Sequence, residues 1–562
     1  MLRQVACWYF WLVGLLVGAC GPSEQDGPFA IPVGTAELGG EDYEVPFFEE
    51  LRARPPEDLD WHRCPLLTGF DDEAAECATA QVPGDWHQPD EAQIELFVKR
   101  YRSSAAPRGQ LWLLAGGPGS AGMAFEDQLI AAPGVASGPT FAEMAPDLVL
   151  YMLDHRGTGG STRLSCETEE DPDSPGGLAI TAEEWATCRE TLGQVWGGDG
   201  LRHFSIEQSA QDLGALIQRT RRGDEPVFVY AFSYGTLWAQ RYLQRFPSQS
   251  DGVVLDSLCA PGACEFGLKY DQGFHDTGRS LMAACALSTV CQRHLGSDPW
   301  GRLEALYAQL DQGHCAAAGI ERSTLRNLLA LMLTTWALRD YIPAVVARLE
   351  RCDADDVEAL LHLAVELFAA QSPEPSFSQV LNRHVILSEF MQSPPPSIEQ
   401  AENHVAGLLF SLDAGPELVS LLLEDWPVYA RETDHDELPA TDVPLLMLAG
   451  ELDPQAPSFV SEAARSHYRG PHQVFLSVPG AAHSVLRQSP LVRRESGQLS
   501  SQVQTDPDGT LRTCGEELIQ QFLGQPRGSL DTDCLGEVRG PAFGGSTSGA
   551  NVLFGSPSVW GG

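Results

Sequence analysis

A serine that leaves a strand and enters a helix is the first residue of this chain equipped for chemistry. Val227-Phe228-Val229-Tyr230-Ala231 is a continuous apolar run, and Phe232-Ser233-Tyr234-Gly235-Thr236 turns it into a helical stretch that reaches Phe246-Pro247. A turn this sharp presents the serine hydroxyl for nucleophilic attack, and neighbouring backbone demands small residues two before and two after it. Ala231 and Gly235 meet that demand, although glycine in the first position tolerates more strained dihedrals. The hydroxyl alone is a weak nucleophile and needs a base, with an acid to orient the base. Both lie downstream. The apolar run 445–449 breaks at Gly450-Glu451-Leu452-Asp453-Pro454, and 474–478 breaks at Pro479-Gly480-Ala481-Ala482-His483. Asp453 and His483 therefore each follow the carboxyl end of a strand, where functional loops gather in open parallel sheets. Taken singly, Ser233 reads equally well as a core serine, Asp453 as a turn former and His483 as a surface loop residue. The order nucleophile, acid, base and the repeated strand-end placement join them into one catalytic set. Further upstream, residues 111–115 lead into Gly116-Gly117-Pro118-Gly119-Ser120. A glycine pair after a strand leaves backbone N–H groups bare, and Gly117 with the N–H of Tyr234 is predicted to form an oxyanion hole. The same segment lacks the lysine of a phosphate-binding loop and the spacing of a dinucleotide fingerprint.

These residues need a sheet to bring them together. Residues 93–98 alternate polar with apolar side chains, as a half-buried strand does, and short apolar runs follow at 111–115, 148–153, 227–231, 253–255, 444–449 and 474–478. Continuous apolar runs separated by helical stretches predict parallel strands covered on both faces, hence an α/β fold. Between 255 and 443 the texture changes to helical spacing, as in Leu325, Leu328, Leu329, Met332 and Trp336, or Val357, Leu360, Leu361, Ala364 and Phe368. The predicted organisation is a core in two parts, 61–262 and 441–536, interrupted by a helical cap at 263–440. A Gly/Ser-rich flexible tail is expected at 537–562, and no internal repeat is visible.

The composition narrows the partners. The chain has 562 residues, 36 Lys+Arg against 77 Asp+Glu, a formal charge of −41 and 43% hydrophobic residues. That is ample material for a core, and the charge argues against a nucleic-acid partner, because phosphate contacts need clustered cations. At the start, Arg3 precedes an apolar run at 7–19, too short for a membrane span of about 20 residues, so 1–19 reads as a signal peptide. It ends in Leu16-Val17-Gly18-Ala19-Cys20, which resembles the bacterial lipobox and implies lipidation at Cys20. Residues 20–60, rich in Pro, Gly and Glu, are then the lipid anchor and tether of a protein held in the bacterial cell envelope.

Export changes how cysteine is read. Of the 14 cysteines, Cys7 leaves with the signal and Cys20 carries lipid, leaving an even set for disulfides in an oxidising compartment. Six sequential loops are the simplest pairing, but connectivity stays open at this level. No CxxC pair and no histidine pair at zinc-finger spacing occurs, so neither a metal nor another cofactor is expected.

Four segments together resemble the proline iminopeptidase and tripeptidyl aminopeptidase branch of the α/β-hydrolase fold. They are Gly116-Gly117-Pro118-Gly119, Asp154-His155-Arg156-Gly157-Thr158-Gly159-Gly160-Ser161, Phe232-Ser233-Tyr234-Gly235-Thr236, and Asp453-Pro454 with Gly480-Ala481-Ala482-His483. The second is the most specific to the branch, and Cys514 to Cys534 with Phe522-Leu523 resembles the C-terminal region of the secreted tripeptidyl aminopeptidases. Three positions depart from the pattern. His155 stands where the family usually has Gln and is read as structural, Ala115 stands where it has His or Pro, and Ala231 replaces the first elbow glycine. The resemblance implies attack by Ser233, proton transfer through His483, orientation by Asp453 and exopeptidase action on a peptide substrate. It also implies an acidic cap residue that holds the substrate's α-amine, for which Glu389 is the candidate beside the reading of a solvated helix glutamate. Two other readings remain: an esterase or acyl hydrolase using the same residues, and a binding lipoprotein that keeps the fold without turnover. Oligomeric state is not legible.

Overall fold

Apolar strands buried on both faces need two apolar layers to cover them, and the chain supplies both. The computed structural model describes residues 59–561 apart from 67–73, 103–105, 131–137, 178, 370–375, 496–497 and 508. The leader, Cys20 and nearly all of the expected tether lie outside the described residues. The strands of the main sheet are β1 (His62–Arg63), β2 (Ala75–Pro83), β3 (Gln93–Arg102), β4 (Gly109–Leu114), β5 (Leu148–Leu153), β6 (Val227–Phe232), β7 (Gly252–Asp256), β8 (Leu445–Gly450) and β9 (Gln473–Val478). They form one sheet in the order β1-β2-β3-β5-β4-β6-β7-β8-β9. Pairing is antiparallel from β1 to β5 and parallel from β5 through β9.

Side chains of the central strands alternate between two apolar layers. Trp112, Leu114, Val229, Ala231, Leu255 and Met447 pack beneath the helices Ile206–Thr220 and Tyr234–Arg245. Leu111, Leu113, Phe228, Tyr230, Val254 and Leu448 pack against the helix Cys514–Gly524. Every residue of β4, β5, β7 and β8 is buried, which is why these strands read as unbroken apolar runs. β9 lies at the sheet edge and is partly exposed. The sequence reading missed β2, whose Ala, Cys, Thr and Gln carry a weak strand signal. It is held by nine paired positions along β3, from Ala75 opposite Tyr101 to Pro83 opposite Gln93.

Between β7 and β8 the chain is helical, from Lys269–Leu287 to Ala414–Leu423. Leu325, Leu328, Leu329 and Met332 line one face of Arg322–Leu333 and enter a separate apolar cluster, whereas Trp336 opens a new short helix. Leu360 is buried in Ala354–Ala369, but Leu361 is 47% exposed. The later part of the insertion behaves differently. Val380, Leu381, Val385, Phe390, Leu418 and Trp426 pack onto the cluster of the main sheet, directly above its strand ends.

The six disulfides join neighbours in sequence: Cys64–Cys77, Cys166–Cys188, Cys259–Cys264, Cys285–Cys291, Cys315–Cys352 and Cys514–Cys534. That number of bridges marks an extracellular or envelope protein.

The C-terminal segment corrects one expectation. It is not a flexible tail. Ser546 accepts the N–H of Gly549 and starts the helix Thr547–Phe554, whose Leu553 and Phe554 enter the cap cluster with Phe543, Val559 and Trp560. Arg348, itself buried, donates to the carbonyls of Val559 and Ser558 at 2.8 and 2.5 Å, and Arg351 donates to that of Trp560 at 2.9 Å. Glycine and serine dominate the composition of this segment, but its few apolar residues decide where it packs. Trp560→Ala is expected to cost about 3 kcal/mol of stability, measured as a shift in the denaturant midpoint. An unchanged midpoint would show that the segment adds nothing to the cap.

Candidate active site

The strand order reverses around β4, whose two neighbours β5 and β6 follow it in sequence and lie on opposite sides of it. Such a switch point opens a crevice at the carboxyl ends of the strands, because the two connections leave in opposite directions. The Gly116-Gly117 turn follows β4 there, and Ser233 follows β6. Ser233 has φ 55° and ψ −123°, a strained conformation for a residue with a side chain, costing on the order of 1–3 kcal/mol. It is held on both sides: its N–H donates to Asp256 O at 3.0 Å, and its carbonyl accepts from Thr236 N at 2.8 Å. Close packing also explains the small residues. A Cβ on Gly235 would lie 2.4 Å from Leu114 O and 2.9 Å from Ala115 O. Ala231, by contrast, sits within regular β6 and is fully buried, so its methyl group is accommodated.

Asp453 leaves the end of β8 and His483 the end of β9. Leu452 N donates to Ala481 O at 2.9 Å and ties the two loops together. Ser233 Oγ lies 2.9 Å from His483 Nε2, and His483 Nδ1 lies 3.0 and 2.9 Å from the two oxygens of Asp453. The Asp453 carboxylate also accepts the N–H groups of Gln455 and Ala456, each at 2.9 Å. Burial pushes its pKa up, but the His483 charge and hydrogen bond, with these two N–H groups, hold it below the usual carboxylate value. An ionised carboxylate only accepts, so Nδ1 carries the proton and Nε2 is left to accept from the serine hydroxyl. The three residues predicted from sequence are thus brought into one chain of hydrogen bonds.

Gly117, Ser233 and Tyr234 line one pocket. Tyr234 opens the helix Tyr234–Arg245, where first-turn N–H groups have no partner within the helix and the helix dipole favours negative charge. The rest of the wall includes Leu237, Phe266, Tyr270, Phe390, Phe459 and Val460, with the Cys259–Cys264 bridge and the Glu265–Lys269 ion pair. Sequence reasoning did not single out this wall. Its residues come from the helix Tyr234–Arg245, from both the start and the later part of the insertion, and from the segment after Asp453, and their spacing carries no motif.

His155 is structural, as expected, and its place is specific. Its Nδ1 faces Arg156 O at 2.6 Å and its Nε2 faces the Tyr234 hydroxyl at 2.9 Å. Burial pushes its pKa down to about 3, so the ring is neutral, with Nδ1–H donating and Nε2 accepting from the phenol. Next to it, Arg156 forms a buried two-pronged pair with Asp212, at 2.6 and 2.7 Å. Asp154 receives the N–H groups of Met123 and Gly160. The segment 154–161 is therefore a hydrogen-bonded hub beneath the nucleophile's helix.

Glu389 is 7% exposed, not a solvated helix residue. Its Oε1 accepts from Ile206 N at 2.8 Å and from the Tyr429 hydroxyl at 2.5 Å, while Oε2 faces His435 Nδ1 at 3.5 Å. It does not line the Ser233 pocket. It lines the adjoining one, and Leu237, Cys264, Glu265 and Phe390 line both.

The comparisons agree with this architecture. Residues 112–292, from β4 through the serine turn to the first insertion helices, match a family model described as alpha/beta hydrolase fold. The fold is that of the α/β-hydrolases. Serine protease Hip1 of Mycobacterium tuberculosis is 28% identical over 249 residues, 42% of this chain and 46% of that protein. Carboxylesterase B of the same organism is 28% identical over 268 residues, 45% of this chain and 50% of that protein. Putative hydrolase YuaR of Escherichia coli is 21% identical over 427 residues, 70% of this chain and 77% of that protein. The match thus spans about half the length of the mycobacterial relatives. The crystal structure of proline iminopeptidase from Mycobacterium smegmatis is similar with a TM-score of 0.30 and 16% identity, over 72% of this chain and 91% of that one, too loosely to carry an argument.

Two outcomes follow for the α/β-hydrolase core. Gly235→Ala drives a methyl group into rigid strand carbonyls and is expected to lower stability by about 1–3 kcal/mol, read as a fall in thermal midpoint. The second concerns pH. Burial holds His155 neutral down to about pH 3 and His384 down to about pH 4. Unfolding returns each to about 6.5, so the unfolded chain binds more protons below that pH. Stability is expected to fall as pH drops from about 6.5 toward 4, and His155→Gln to flatten that slope of urea midpoint against pH. An equal slope in the variant counts against the assignment.

Proposed function

We propose that the chain is a serine hydrolase that releases N-terminal residues or short peptides through an acyl-enzyme. The observation that carries the reading is the unbroken path from Ser233 Oγ through His483 to the buried Asp453. Ser233 attacks the substrate carbonyl as its proton passes to His483 Nε2, and Asp453 stabilises the imidazolium that forms. The N–H groups of Gly117 and Tyr234 receive the oxyanion. Collapse of the tetrahedral intermediate expels the amine, which takes the proton from His483, and water attacking by the reverse path frees the acid and restores Ser233.

Glu389 supports exopeptidase action. Its Oε1 accepts from the N–H of Ile206, the first residue of the helix Ile206–Thr220, and from the Tyr429 hydroxyl, and the residue lines the pocket next to the nucleophile's. A carboxylate so placed pairs with an α-ammonium. Glu389 lines the adjoining pocket, which shares Leu237, Cys264, Glu265 and Phe390 with that of Ser233, so one substrate can reach both. The apolar wall of Leu237, Phe266, Phe390, Phe459 and Val460 around Ser233 supports the second reading, an esterase, in keeping with a relative that carries that name. The envelope location extends to a lipid anchor at Cys20, which Cys20→Ala tests by release of the protein from the membrane fraction.

Free-amine and N-blocked peptidyl anilides, tested beside simple esters, separate the two readings. Ser233→Ala is expected to lose about 10⁴-fold or more in kcat and all labelling by a fluorophosphonate. Glu389→Gln is expected to raise KM about tenfold for free-amine substrates and leave N-blocked ones unchanged. Faster turnover of blocked peptides or esters by the native protein would replace the peptidase reading with the esterase one. Equal labelling of native protein and Ser233→Ala would remove both.

A further inference from the structure

One buried aspartate beside the Ser233–His483–Asp453 path takes no part in that relay, yet its backbone and side chain hold two of the three segments that form it. Asp256 ends β7, paired with Phe232 of β6 on one side and Leu448 of β8 on the other. Its carbonyl accepts the N–H of Ser233 at 3.0 Å. Its side chain is fully buried, and it reaches the other way. Oδ1 accepts from Val485 N at 2.7 Å, and Oδ2 accepts from Leu486 N at 3.0 Å and from the Tyr230 hydroxyl at 2.8 Å. The next residue, Ser257, accepts the N–H of Ser484 on its Oγ at 2.8 Å. The three residues that follow His483 therefore all have their N–H groups held by Asp256 and Ser257. Without these acceptors the N–H groups would be buried and unpaired, since this stretch turns through Ser484 at φ 72°.

We infer that Asp256 is a positioning residue of the proposed hydrolysis, fixing the His483 loop to the Ser233 turn and setting a negative charge beside the imidazolium that forms. The inference rests on the serine hydrolase reading. Asp256 is distinct from the orienting acid, because Asp453 alone makes the direct bond to Nδ1. Among ionisable groups, Tyr230 donates to Asp256 and the charge of His483 acts on it. Burial pushes its pKa above the usual carboxylate value, while Leu486 N–H, the Tyr230 hydroxyl, Val485 N–H and His483 act in the opposite sense. Three donors converging on one carboxylate favour its charged form, in which it attracts the protonated base. The signal was present in sequence as an aspartate closing the run 253–255, but nothing local distinguishes it from a strand-end turn former.

The test is Asp256→Asn, which keeps the size of the side chain, removes the charge and turns one acceptor into a donor facing an N–H group. For the best substrate of the native protein, kcat is expected to fall about 10- to 100-fold with KM within about twofold, since the group acts on the base and not on substrate. The acid limb of kcat/KM is expected to move to lower pH, because a neighbouring negative charge that favours a protonated base has been removed. A change that only loosened the fold would lower the active fraction and leave that limb in place. Tyr230→Phe removes one donor and keeps the charge. It is expected to lower kcat about threefold at unchanged KM, and it decides the question if Asp256→Asn does not fold. Native kcat and an unmoved acid limb in Asp256→Asn, or native kcat in Tyr230→Phe where Asp256→Asn is unfolded, would overturn the positioning role while the hydrolase stands. A native protein without turnover or fluorophosphonate labelling would overturn the hydrolase reading and this role together.

Discussion

Ser233 occupies a backbone conformation that an L-residue resists, and much of the molecule is arranged to hold it there. Strand β6 delivers it to the carboxyl ends of the central strands, the carbonyls at the end of β4 press against Gly235, and the end of β7 takes its N–H group. A strained turn survives only where surrounding packing overdetermines it. Full burial of β4, β7 and β8 supplies that rigidity. The result is a hydroxyl that projects from a fixed point toward the loops of the two strands beyond.

Electrostatics follows the same economy of placement. Buried charges of the core are paired, as in Arg156 with Asp212 and Lys99 with Glu126, both with almost no exposed side-chain surface. Groups that would disturb the path are kept neutral: His155 by burial, and the Tyr234 phenol by burial together with the charge of Glu389. Buried carboxylates are placed where donors meet them, at Nδ1 of His483 and at the N–H of Ile206 that starts the helix Ile206–Thr220. Pairing a charge with several hydrogen bonds is what permits burial at such sites, because desolvation otherwise drives the group neutral.

Much of the core was legible because its strands are buried on both faces, so local apolar runs report tertiary environment directly. Each run that preceded a catalytic candidate corresponds to a strand. Where that correspondence is lost, reading fails for identifiable reasons. β2 is small and polar, and its stability comes from pairing along β3. The C-terminal segment is dominated by glycine and serine, yet Phe554, Val559 and Trp560 bury themselves in the cap through arginine contacts more than 200 residues away in sequence. Leu361 matches the apolar stripe of its helix but points to solvent, because the helix has one packed face and the cap ends there.

The sequence by itself determined which residues have the means for acyl transfer, in which order they occur, that each follows a strand and that the cysteines are even in number for an oxidising compartment. These are properties of residue type and local period, which a single chain carries in full. Only the tertiary structure decided that Ser233 and His483, 250 residues apart, meet at 2.9 Å. It also decided that Glu389 faces the neighbouring pocket and not the nucleophile's, which disulfides form, and that Asp256 ties two loops together. Such facts depend on contacts between distant segments, whose strength comes from burial and geometry that exist only once the sheet has brought those segments side by side.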